Sequence, residues 1–156
     1  MKTEILFPEV ANLCGDLMNV TYLRQCCPEM EVVETGLKDR PAFLDGGVDL
    51  VYVGSATERG LQLMVQALAP YRAELERYVD GGGLMLATGN ALDALGEYVV
   101  IDGKRAFDGL GILKTHAEYH MMKRHNSFLL GSFQDMEIVG FKSLFGHTYP
   151  DDELAN

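Results

Sequence analysis

Two short loops in this sequence have the residue types that acyl or amide transfer uses. Gly54-Ser55-Ala56-Thr57 follows a strongly apolar run and opens a helical pattern, so its backbone N–H groups are placed to bind an anion or an oxyanion. Ala87-Thr88-Gly89-Asn90-Ala91 reads as a sharp strand-to-helix turn flanked by small residues, the shape of a nucleophile elbow. No strong nucleophile stands on it. A threonine hydroxyl needs an adjacent base, and the nearest ionisable residue along the chain, Asp93, lies one helical turn away. Thr88 therefore reads first as an ordinary helix cap.

The histidines and cysteines offer less. His116 and His120 have the i, i+4 spacing that on a helix puts two imidazoles on one face as metal ligands. Thr115 to His125 has no helical stripe, however, and no acidic third ligand follows at the spacing of a zinc protease. Lys123-Arg124-His125 is a basic island in an acidic chain. It could face a carboxylate or phosphate ligand or a partner's acidic patch, or be a charged loop and nothing more. Lys104-Arg105 reads as a polar hairpin tip. Cys14, Cys26 and Cys27 are odd in number, two are adjacent, and no C-x-x-C pair exists. A disulfide, a zinc ribbon and a thioredoxin-type motif are all disfavoured, leaving buried or half-buried free thiols.

The elements that must position these loops alternate. Ile5 to Phe7 reads as a strand stopped by Pro8. Asp16 can cap a helix with Leu17, Val20, Leu23 and Cys27 on one face, ended by Pro28. Glu31 to Glu34 favours a strand. Val48 to Val53 is a near-continuous apolar run of the kind buried on both faces of a parallel sheet. Thr57 can cap a helix carrying Leu61, Met64, Val65 and Leu68, and Pro70 starts a second helical segment through Leu75 and Val79. Leu84 to Ala87 is another strand, followed by a short helix around Ala91 to Leu95. This order means βαβ units and a parallel sheet with helices on both faces. After Gly96, Tyr98 to Ile101, a turn at Asp102-Gly103-Lys104, Ser127 to Phe133 and Met136 to Phe141 read as strands joined by hairpins.

Composition bounds the function. The chain has 156 residues, 47% hydrophobic and 23% charged, which suits one folded domain over 1–156 with no internal repeat. Thirteen basic residues against 23 acidic ones give a net charge of −10, the wrong sign for nucleic acid or an anionic membrane. No apolar run approaches the ~20 residues of a membrane span, and Met1 to Pro8 is too short an apolar stretch for a signal peptide. The expectation is a soluble cytoplasmic protein.

The order of features resembles the cobyric acid synthase-like branch of class I glutamine amidotransferases, and within it the glutaminase subunits of lipid II isoglutaminyl synthases, which work with a Mur-ligase-like partner on peptidoglycan. Asn12-Leu13-Cys14-Gly15-Asp16 is similar to that group's opening Asn-Leu-Tyr-Gly-Asp. Val51 to Arg59 is similar to its strand and glycine-rich loop, Asp108 to Leu113 to its Gly-Leu-Gly-Leu-Leu, and Ile138 to Tyr149 to its Val-Gly-Phe-Glu-Asn-His-Gly-Gly-Arg-Thr-Tyr. The resemblance runs from about Ile5 to Tyr149. It implies a flavodoxin-like three-layer α/β/α sandwich with a mainly parallel sheet and a β-rich C-terminal section.

The departures fall where the resemblance puts the chemistry. The group's nucleophile is an elbow cysteine. Counting forward from Asp80-Gly81 places it at Thr88, and counting back from Leu95-Gly96 places it at Gly89; neither is cysteine. Cys14 matches the opening tyrosine on a different loop and does not substitute. The activating histidine belongs to a late Tyr-Leu-His-Gly motif that does not occur before Asn156. The glutamate, asparagine and histidine of the stretch before it read Lys142, Ser143 and Leu144, while the substrate-gripping arginine falls near Lys123 or Arg124. The resemblance therefore implies a non-catalytic binding or regulatory subunit. Its partner would be a Mur-ligase-like or other amidating synthetase, plausibly cobyrinate-amidating. An amino-acid-sized ligand would sit at Gly54, Ser55, Ala56, Thr57, Asn90, Lys123 and Arg124, and no cofactor or metal is expected. The alternatives are a working glutaminase with a non-standard nucleophile such as Thr88, and a metal or redox module built on His116, His120 and the thiols. Related domains continue past the position of Tyr149 with a last strand and helix, without which a sheet edge is bare. The chain is then a piece of a longer protein, or another chain covers that edge. The acidic Asp151 to Asn156 does not read as a finishing strand.

Overall fold

The computed structural model of the chain describes residues 1–150; the acidic end, 151–156, lies outside the described residues. Strands β1 (Lys2–Leu6), β2 (Glu31–Thr35), β3 (Leu50–Val53) and β4 (Leu84–Ala87) form a fully parallel sheet in the order β2-β1-β3-β4. Their connections are helix α1 (Met18–Cys26), a 3-10 turn at Ala42–Asp45, and helices α2 (Glu58–Leu68) and α3 (Arg72–Asp80). The twofold periodicity of a strand sorts the core. Ile5 pairs in register with Tyr52, and both pack with Val20 of α1. Leu6 and Val53, one residue on, pack with Leu61 and Met64 of α2 and Leu75 of α3. Helices thus cover both faces, which makes this the α/β architecture expected from the run of apolar strands.

The strand order also fixes where a ligand can enter. From β1 the chain crosses to one side to make β2, then returns past β1 to make β3. The loops leaving the carboxyl ends of β1 and β3 therefore diverge, and a crevice opens between them. Thr57 caps α2 as its position suggests, its hydroxyl accepting the Gly60 N–H at 3.1 Å. Asp16 does not cap α1. Leu17 holds that position with no side-chain bond, because the Asp16 carboxylate is engaged across the crevice, as described below.

After β4 the chain makes a 3-10 helix, Gly89–Ala94, where a short α-helix was expected. It then builds β5 (Tyr98–Ile101), β6 (Lys104–Asp108), β7 (Thr115–Tyr119) and β10 (Gly146–Pro150), a second sheet in the order β10-β7-β5-β6. The hairpin turn at Asp102-Gly103 is present, with φ of 47° and 78°. β6, β7 and β10 are the elements that hairpin periodicity did not reveal, and Lys104-Arg105, read as a hairpin tip, begins β6. Only Ala117 and Tyr119 of β7 are buried, too short a pattern to stand out. Val99, Ala117 and Tyr119 join the same apolar cluster as the parallel sheet, so the β-rich section is packed onto the α/β core. Among the described residues, strands β8 (His125–Phe133) and β9 (Met136–Leu144) pair only with each other. No helix among the described residues is long and apolar enough to cross a membrane.

One polar group anchors the centre of the first sheet. Glu4 on β1 is fully buried, and its carboxylate accepts three hydrogen bonds: from Thr35 Oγ1 at 2.5 Å, Ala42 N at 2.6 Å and Phe43 N at 2.7 Å. It terminates the end of β2 and the 3-10 turn at once. Removing it strands buried donors that water cannot reach. Glu4→Leu is expected to cost about 3 kcal/mol or more, and Glu4→Gln, which keeps one acceptor oxygen, less. Urea unfolding midpoints of the two variants against the wild type check the order.

Candidate functional site

The crevice is organised by the Asp16 carboxylate. One of its oxygens, Oδ2, accepts the Ser55 N–H at 2.7 Å and the Thr88 hydroxyl at 2.9 Å. The loop after β1 is thereby tied to the loops after β3 and β4. The Asp16 carbonyl takes the Tyr52 hydroxyl at 2.7 Å, and Asn19 Nδ2 donates to that same Tyr52 oxygen at 3.2 Å. Burial pushes the Asp16 carboxyl up, but hydrogen bonds from Ser55 and Thr88 outweigh it and hold the group below its ordinary value. Sequence distance had pointed to Asp93 as the nearest acid to Thr88. The fold instead brings Asp16, 72 residues away, into contact with it. The Thr88 side chain accordingly caps nothing.

A second clamp fixes the other half of the same loop. Asn90 Oδ1 accepts the Ala56 N–H at 2.9 Å, and Asn90 Nδ2 donates to the Ala56 carbonyl at 2.8 Å. With Ser55 N held by Asp16 and Ala56 N held by Asn90, two of the backbone donors in the loop that could have formed an oxyanion site are already engaged inside the protein. Asn90 is occupied as a positioning residue for the same reason. Two glycines permit the close approach. A Cβ at Gly54 would lie 2.2 Å from the Ala11 carbonyl oxygen. At Gly89, where φ is +54°, a Cβ would lie 2.7 Å from Ser55 Cβ.

These loops form one wall of a cavity of about 640 Å³, within the range of small-molecule sites. Ser55, Ala56, Gly89 and Asn90 are on that wall, with Cys14 and Glu58 beside them. The rest of the lining comes from the start of the ribbon and from β10 and brings Arg124, just before β8, Lys142 of β9 and His147 of β10. Arg124 stacks over the Phe145 ring at 4.6 Å, which holds its guanidinium in place. The base of the cavity carries a buried acid. Asp93 takes the Tyr119 hydroxyl at 2.6 Å and the Thr148 hydroxyl at 2.5 Å. Burial pushes the Asp93 carboxyl above its usual range, and the two hydroxyls pull it only part of the way back. The Tyr119 phenol is pushed up in turn, by burial first and then by the neighbouring carboxylate.

Of the residues singled out in the sequence, Ser55, Ala56, Gly89, Asn90 and Arg124 are brought together. Gly54, Thr57, Thr88 and Lys123 are absent from the residues that line the cavity. Gly54 is buried against Ala11, Thr57 is the helix cap, and Thr88 is turned into the Asp16 contact. Cys14 was set aside as lying on another loop, yet the crevice brings that loop to the cavity, with Cys14 at φ +58°. Cys14 and Cys26 are exposed, not buried; Cys27 is half-buried. His116 lies on β7, so the i, i+4 spacing does not place it and His120 on one helical face. Its ring is stacked between Tyr98 at 5.0 Å and Tyr149 at 5.6 Å. Asp93 and Tyr119 went unread as site residues because an acid in the run Ala91-Leu92-Asp93-Ala94 shows no partner until β7 and β10 are folded over it.

No family profile matches the sequence. Over 145 residues, 90% of this chain, it is 27% identical to subunit GatD of the glutamine-hydrolyzing lipid II isoglutaminyl synthase of Staphylococcus aureus (strain N315). The aligned region covers 58% of that protein, so the chain spans under two thirds of the length of the curated relative it matches. The likeness supports a relationship to glutamine amidotransferase-like proteins.

Asp16→Ala removes the acceptor of two hydrogen bonds from a partly exposed site, and is expected to cost about 1–2 kcal/mol at neutral pH. The wild-type carboxylate titrates below its ordinary value, so its stabilisation is complete above about pH 4 and is lost as pH falls through the depressed value. Denaturation of both proteins across acidic pH should show the gap between them closing toward low pH.

Proposed function

We propose that this chain is a glutamine amidotransferase-like binding subunit without glutaminase chemistry of its own, serving a cytoplasmic amidating synthetase. The partner would be Mur-ligase-like and act on peptidoglycan precursors; a cobyrinate-amidating enzyme is the other member of that chemical class. The observation that carries this reading is the turn after β4. A nucleophile elbow presents its side chain from a strained residue above the sheet. In this turn the positive-φ residue is Gly89, which has no side chain, while Thr88 is extended and bound to Asp16. The place a Cβ would take at Gly89 is closed by Ser55, which stands in the loop that is glycine-rich in the resembling proteins. Donors for a tetrahedral oxyanion at Ser55 and Ala56 are spent internally. On this reading the nucleophile and two of the cradle's donors are lost together.

The cavity remains a binding site in this reading. Arg124 and Lys142 offer cations to a carboxylate, and Glu58 can receive an ammonium group, which suits an amino-acid-sized zwitterion. Gly54 to Thr57 and Asn90 act as its scaffold, and Lys123 contributes to the basic rim. One observation favours a second reading, an active glutaminase with an unusual nucleophile: Cys14 and His147 share the cavity, and a thiol with an imidazole in reach is the combination that attacks a carboxamide.

The deciding experiment is a glutaminase assay on the purified protein, alone and with a co-expressed Mur-ligase-like synthetase, reading ammonia and glutamate. The proposal expects no release in either case and a stable complex. Release above background overturns it, and loss of that release in Cys14→Ser would establish the second reading. The elbow geometry makes its own prediction. Gly89→Cys should destabilise the fold by about 1–3 kcal/mol through the Ser55 clash and the positive φ. Gly89→Cys with Ser55→Gly should recover the steric part, measured as urea midpoints of the single and double variants.

A further inference from the structure

The β8–β9 ribbon is the part of the molecule that the cavity does not explain. Its strands pair in register from His125↔Leu144 to Phe133↔Met136, turning at Gln134, and among the described residues no third strand joins them. On one face Phe128 lies opposite Phe141 and Leu130 opposite Val139. These side chains are 83%, 63%, 80% and 72% exposed, and the two phenylalanine rings meet edge to face at 5.7 Å. An isolated two-stranded ribbon is at best marginally stable in water, and a contiguous apolar face of this kind marks an interaction surface.

We infer that this ribbon face is the contact between two copies of the chain, packed ribbon on ribbon about a twofold axis. Size and local charge balance favour a second copy over another occupant. Taking a phenylalanine at about 200 Å², the four side chains present on the order of 500 Å². Two copies would then bury roughly 1,000 Å² in total, the threshold of a specific interface. The chain as a whole carries −10, so most of its surface repels a second copy. The segment 123–144 is the exception: Lys123, Arg124 and Lys142 offset Asp135 and Glu137, and of these only Glu137, opposite Ser132, lies on the apolar face, at its edge. The contact is isologous, so Phe128 and Phe141 of each copy meet the same residues of the other, and the assembly closes at two.

The root of β9 supplies Lys142, Ser143 and Leu144 to the cavity wall, so the same pairing braces that wall. The inference does not rest on the proposed function, and its test does not use activity. Light scattering across the micromolar range should give a dimer for the wild type. Phe128→Thr with Val139→Thr keeps strand propensity and should weaken association at least tenfold. Hydrogen exchange on the wild type supplies a readout independent of any variant: amides of 125–144 should gain protection as concentration rises. A wild-type monomer at every concentration, a dimer unchanged by the double substitution, or protection of the ribbon that appears only when a synthetase is added would each overturn the inference.

Discussion

The contact of the Asp16 carboxylate with Ser55 N and Thr88 Oγ1 determines most of what surrounds it. Three loops leave the carboxyl ends of β1, β3 and β4, and each would otherwise end in dangling polar groups. A single acceptor oxygen shared between two donors draws them to one point. The loop after β3 is then held flat against the loop after β1, which is why residue 54 has to be glycine. Asn90 can then reach the Ala56 backbone with both ends of its amide. The hydroxyl of Tyr52, buried under the sheet, is oriented by the same residue's carbonyl. What looks like a set of independent loop features is one hydrogen-bonded unit.

Around that unit the fold separates two kinds of surface. The parallel sheet supplies a wall of backbone and small side chains, fixed by internal bonds. The second sheet and the root of the ribbon supply the charged and aromatic wall. Asp93 joins the two, since it stands on the 3-10 helix after β4 and is held by hydroxyls from β7 and β10. Its burial disfavours the charged form, and the Tyr119 and Thr148 hydroxyls compensate by donating to it.

Much of the first sheet was legible because its strands are near-continuous apolar runs and its helices carry stripes such as Leu61, Met64, Val65 and Leu68. The pattern also placed the loops at Gly54 and Thr88 correctly at strand ends. The contacts inside the site were not legible, because they are made across long stretches of sequence: Asp16 to Thr88, Asn90 to Ala56, Asp93 to Thr148. Local rules gave Asp16 and Thr88 the role of helix caps, a role that either side chain fills alone, whereas the fold pairs them with each other. Cys14 was misplaced for a related reason. Separation in sequence was read as separation in space, although β1 and β3 are neighbours in the sheet and Asp16 ties the loops at their carboxyl ends to each other. β7 was missed because its alternation, Ala117 and Tyr119 buried against His116 and Glu118 on the other face, is only two apolar residues long.

The near-contact between the vacant position at Gly89 and the Ser55 side chain has an evolutionary consequence. Once a side chain occupies residue 55, restoring one at residue 89 is harmful until residue 55 is emptied again, and emptying residue 55 first brings no benefit by itself. The two changes are worth making only together. A lineage that crosses this point is held on the far side by steric epistasis, even while the rest of the scaffold keeps its shape.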